Sequence, residues 1–129
     1  MEKSRVIFFQ TEDRKPGVKT ILKSLKDNPI KGKKVLIKPN FNTADPTPGS
    51  THNDVLVSLV EEVWKMGAKS VSVGDRSFPP TREVMEKKGI LPLLEKLEVK
   101  IAPFDDLPEK DWVEFKPQGS HWPDGFRIA

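Results

Sequence analysis

Hydrophobic residues along the chain alternate between short unbroken runs and runs at helical spacing, with Pro, Gly and Asn at the breaks. Residues 5–10 (RVIFFQ) form an apolar, β-branched and aromatic run between charged positions, which predicts a buried first strand. Val18, Ile21, Leu22 and Leu25 then recur at helical spacing behind Pro16, which suits a first helical turn. Val35, Leu36 and Ile37 follow without alternation, as expected of a strand covered on both faces. Pro46, Pro48 and Gly49 forbid regular structure in the next loop, and Ser50, Thr51 and Asn53 compete to cap the helix that follows. That helix, with Val55, Leu56, Leu59, Val60, Val63 and Trp64 on one face, is expected to stop at Gly67.

Residues 69–73 (KSVSV) read as a further strand ending at Gly74 and Asp75. Thr81 is the expected cap of a short helix closed by Gly89, and residues 90–97 continue as a second helical piece. Residues 98–102 alternate like a strand, and residues 105–111 form an acidic turn. Residues 112–116 and 126–129 read as two last strands with no helix between them, around breaker-rich residues 117–125. Strands alternating with helices predict an α/β fold: three layers, a mostly parallel sheet with helices on both faces, and an antiparallel edge. Residues 1–129 are expected to form a single domain. Because the last apolar fragment has barely left a glycine turn, that domain is expected to be the N-terminal part of a longer protein.

Composition narrows the chemistry. A chain of 129 residues with 36% hydrophobic and 32% charged positions can bury a core without staples. Cysteine is absent, which excludes disulfides, thiolate nucleophiles and an iron–sulfur cluster held by this chain alone. The apolar run near the start is too short for a signal peptide or a membrane span, so a cytoplasmic location is expected. Lysine outnumbers arginine 17 to 5 and Asn plus Gln number six, a lean towards a thermophilic source. The net charge of +3 is too small to imply nucleic acid, but it is unevenly spread. The first fifty residues hold eleven basic and five acidic side chains, a positive field suited to an anionic small molecule or simply the solvated face of the first helix.

In an open α/β sheet, ligands sit beyond the carboxyl ends of the strands. One loop there carries Lys38, Asn40, Asn42 and Thr43 and leads to Ser50, Thr51 and His52; the other carries Gly74, Asp75, Arg76 and Ser77. If the loops converge, Lys38 and the amides of the helix start near Thr51 make a cradle for phosphate or carboxylate. Asp75 would hold a ribose hydroxyl or a metal, or else pair with Arg76 or Lys69. Each residue also has a plain structural reading: Lys38 snorkels, Asn40 turns the chain after Pro39, Thr51 caps a helix. Neither a dinucleotide fingerprint nor a P-loop is present. A metal site would need His52 and His121 brought together across the fold, and none is expected. Phe104, Trp112, Phe115, Trp122 and Phe126 read as edge core.

Three motifs together, VLIKPN at 35–40, GSTH at 49–52 and MGAKSVSVGD at 66–75, resemble domain of unknown function family 362 over about residues 33–105. The resemblance implies a mixed α/β domain that often continues into a ferredoxin-type module with cysteine-bound [4Fe-4S] clusters. This chain lacks those cysteines, so such a cofactor would belong to the parent protein. By motif, the implied binding residues are Lys38, Asn40, Thr51, His52, Gly74 and Asp75. The leading expectation is a domain that binds a small anionic ligand at its strand ends within a redox-linked enzyme. The alternative is a non-catalytic module that docks a downstream ferredoxin-like domain or partner.

Overall fold

The computed structural model describes residues 5–25, 27–119 and 121–129; Lys26 of the expected first helix and Ser120 of the breaker-rich stretch lie outside them. Helices and strands are mixed, in the order α1 (Arg14–Lys23), β1 (Lys34–Ile37), α2 (Asn53–Lys65), β2 (Ser70–Val73), α3 (Thr81–Lys87), α4 (Leu91–Lys96), β3 (Lys100–Ile101), β4 (Val113–Phe115) and β5 (Phe126–Ile128). Two short 3₁₀ turns, Phe104–Asp106 and Glu109–Asp111, carry the acidic stretch.

β1, β2 and β3 form a parallel sheet in that order, and β4 and β5 form a separate antiparallel hairpin. The expected antiparallel edge is therefore not part of the parallel sheet. The expectation of helices on both faces also needs correction. Right-handed crossovers that step in one direction, from β1 to β2 to β3, deliver their helices to the same face. Side-chain alternation agrees. Val35 lies opposite Val71 and Ile37 opposite Val73, and these residues pack into one core with Leu56 and Val60 of α2, Val84 and Met85 of α3, and Leu94 of α4.

The opposite face presents Lys34, Leu36, Ser70 and Ser72. Leu36 is 52% exposed, so β1 is not covered on both faces. α1 packs against α2.

Residues 5–10 form no strand. Val6 and Phe8 are each 89% exposed, and no strand among the described residues pairs with the run. An apolar run becomes a strand only where a ladder partner takes its amides. The last aromatics do gather, with Phe115 and Phe126 at 5.4 Å and Trp122 and Phe126 at 5.8 Å between ring centroids. They form an exposed cluster on the hairpin rather than core, since Phe115, Trp122 and Phe126 are all at least 40% exposed.

Candidate functional site

β1 and β2 are parallel neighbours, so their carboxyl ends emerge side by side and the two loops meet. The seam between them is built on Asp75, which is 2% exposed. One carboxylate oxygen accepts from the Phe41 N–H at 2.7 Å. The other accepts from the Arg76 N–H at 2.8 Å and meets Lys38 Nζ at 2.6 Å. Both oxygens of this buried carboxylate are thus partnered. The Asp75 carbonyl also accepts from the Phe104 N–H and the Thr81 hydroxyl, each at 2.8 Å, tying the seam to the end of β3 and the start of α3.

Gly74 is required by the same close approach. A Cβ there would lie 1.9 Å from the Ala102 carbonyl oxygen, inside any van der Waals contact. Its N–H donates to Ile37 at 3.1 Å and continues the β1–β2 ladder past the last paired residues.

Asn40 and Thr51 close the intervening loop on itself. The Thr51 N–H donates to the Asn40 carbonyl and the Asn40 N–H donates to the Thr51 hydroxyl, both at 2.9 Å. The cap of α2 is none of Ser50, Thr51 or Asn53. It is His52, whose Nδ1 accepts from the Asp54 N–H at 3.1 Å. Thr81, read as a cap, is instead the first residue of α3 after Pro80, and its N–H donates to Asp105 at 2.9 Å.

The expected binding residues are thus distributed over three places. Lys38, Asn40, Thr51, Gly74 and Asp75 belong to the seam. His52 faces a cavity of about 310 Å³ shared with Asp45, Thr47, Asn53 and Lys88. Arg76 lines a cleft of about 510 Å³ with Phe104, Asp105, Glu109, Trp112 and Arg127, where the strand ends of the parallel sheet face the hairpin.

In that cleft Trp112 is flanked by two guanidinium groups, Arg76 at 5.8 Å and Arg127 at 5.5 Å from its ring centroid. Arg127 also pairs with Glu109, whose hydrogen bond holds the Glu109 carboxyl below its ordinary value. Arg76 has no carboxylate within ion-pair distance among the described residues. Burial alone would raise the Asp105 carboxyl, but hydrogen bonds from Thr81 and from its own backbone outweigh it, and the Arg76 charge helps to hold it low.

Trp112 and Arg127 are functional candidates that sequence reasoning missed. No local signal marks them: only the hairpin register, with Glu114 opposite Arg127, puts Arg127 and Trp112 on one face. Lys88 was missed because it meets Ser50 across 38 positions of sequence.

No helix among the described residues is long and apolar enough to cross a membrane. The family model described as Domain of unknown function (DUF362) matches residues 35–129. No curated protein and no solved structure matches the chain.

Proposed function

The chain belongs to the DUF362 family, and we propose that it serves as a cytoplasmic domain binding a small anionic ligand beyond the carboxyl ends of its parallel strands, within a redox-linked enzyme. The observation that carries the reading is Arg76. Its guanidinium lies 5.8 Å from the Trp112 ring centroid, has no carboxylate within ion-pair distance among the described residues, and lines a cleft large enough for a small phosphate or carboxylate. The seam residue next to it, Asp75, accepts from the Arg76 N–H, which ties the Arg76 backbone to the seam. Lys38 then acts as the counter-charge of Asp75 rather than as the ligand's partner. Any [4Fe-4S] centre would take its thiolates from outside these 129 residues, which contain no cysteine.

Isothermal titration of the full chain with inorganic phosphate, citrate and AMP tests this reading. Saturable binding of at least one, weakened tenfold or more by Arg76→Ala, is the expected result. No binding, or binding indifferent to Arg76→Ala, overturns it.

The open sheet face favours a second reading, as a docking surface for a ferredoxin-like domain. Leu36, Ala102, Phe104 and Leu107 line it beside Lys34 and Lys100, an apolar strip with a basic rim that complements an acidic electron carrier. A domain seated there would supply the third layer of a three-layer fold. Leu36→Glu should abolish co-elution with such a domain while leaving anion binding intact; unchanged co-elution excludes this face.

A further inference from the structure

β1 ends the parallel sheet on one side, so one of its edges has no neighbouring strand among the described residues. The Gly74 N–H donates to the Ile37 carbonyl, which turns the backbone polar groups of Val35 and Ile37 towards β2. Those of Lys34 and Leu36, one position off, face the open edge. The same chain carries an extended run that has no ladder. In residues 5–10, Val6 and Phe8 are each 89% exposed and Phe9 is 43% exposed.

Charge decides in which sense, and therefore on which copy, the run pairs. A Cβ on Gly17 would meet the Thr11 methyl at 2.7 Å, and the Thr11 hydroxyl donates to the Asp13 carbonyl at 2.8 Å, so the run ends where α1 begins. α1 follows the direction of α2, with Lys15 beside Ser58 and Leu22 beside Met66. A run leading into α1 reaches its own β1 only through that crossover, which makes the two strands parallel. With Phe8 opposite Leu36, the parallel sense sets Arg5 opposite Lys33, and like charges so placed repel. The antiparallel sense, with the same Phe8 and Leu36 pair, sets Ile7 opposite Ile37 and Phe9 opposite Val35. It also brings Glu12 level with Gly32, between Lys31 and Lys33. Among the described residues no ion pair engages Glu12, Lys31 or Lys33. Only a second copy can supply the run in that sense.

We propose that the open edge of β1 receives residues 5–10 of a second copy as an antiparallel strand, and that two copies exchange their runs about a twofold axis. Leu36 and Lys34, whose polar groups face outwards, exchange N–H···O bonds with Phe8 and Gln10 of the other copy. Ile7 and Phe9 then fall on the core side of the sheet with Ile37 and Val35, and Phe8 covers the exposed Leu36 on the opposite side. The acidic end of the run meets the basic start of β1, which fixes the register. The surface stands apart from the anion cleft, which none of these residues lines.

Light scattering of the full chain over a concentration series tests it. A dimer is expected, with a dissociation constant raised at least tenfold by Phe8→Asp and severalfold by Glu12→Lys; adding Lys33→Glu to the latter should recover the loss. The chain has no cysteine, so a Phe9→Cys variant mixed with a Val35→Cys variant reports the register directly, through a disulfide linking the two chains. A monomer at every concentration, a dimer indifferent to Phe8→Asp, or no mixed disulfide overturns the proposal.

Discussion

Asp75 and Arg76 are adjacent in sequence, yet the seam and the cleft they belong to use charge in opposite ways. In the seam every charged or polar group has a partner within the fold: the Asp75 carboxylate takes two backbone amides and the Lys38 ammonium, and Asn40 and Thr51 take each other. In the cleft the Arg76 guanidinium lies over the Trp112 ring with no carboxylate within ion-pair distance among the described residues. A strand-end loop rich in polar residues therefore need not be the binding surface. It can be the frame that aims the next residue at the ligand.

The sharpest way to break that contrast is to remove the frame. Asp75→Ala leaves the Phe41 and Arg76 amides without their acceptor and Lys38 without its partner. A loss of about 3 to 4 kcal/mol in urea unfolding is expected, since each amide left without an acceptor costs about 1 to 3 kcal/mol, whereas Lys38, 60% exposed, returns to water. Gly74→Ala should come next, costing about 3 kcal/mol, because the added methyl meets the backbone of Ala102 rather than a side chain that can move aside. Arg76→Ala should cost less than about 1 kcal/mol, the worth of a cation–π contact, while removing anion binding. Equal stability losses at positions 75 and 76 would erase the distinction.

The smallest effect is one of pH. The Asp105 carboxyl is held below its ordinary value of 3.8 by hydrogen bonds that exist only in the fold. Its contribution to stability is complete above the unfolded value and is lost as pH falls through the folded one. Urea midpoints measured between pH 6 and pH 2.5 should fall more steeply for the natural chain than for Asp105→Asn.

Much of the frame was legible in the sequence because its signals are local. The unbroken run at Val35 to Ile37, the run at Ser70 to Val73 and the apolar face of α2 each specify an element without reference to anything distant, and Gly74 marked the end of β2. What stayed hidden depends on partners. Residues 5–10 look like a strand in isolation, and only the lack of a ladder partner removes them from the sheet. The helices occupy one face because the strand order is sequential, and order is not written in any single motif. His52 caps α2 because the mutual hydrogen bonds of Asn40 and Thr51 have already used the stronger capping residue. Arg127 reaches the cleft only through the register of the hairpin.

The central claim, that the seam is frame and the cleft is the binding surface, is tested most directly by following backbone amide and indole NMR signals as the full chain is titrated with inorganic phosphate. The account predicts saturable shifts concentrated at Arg76, Asp105, Trp112 and Arg127, with Asn40 and Thr51 nearly still. Shifts centred on Asn40, Thr51 and the start of α2, or none at any of these positions, would contradict it.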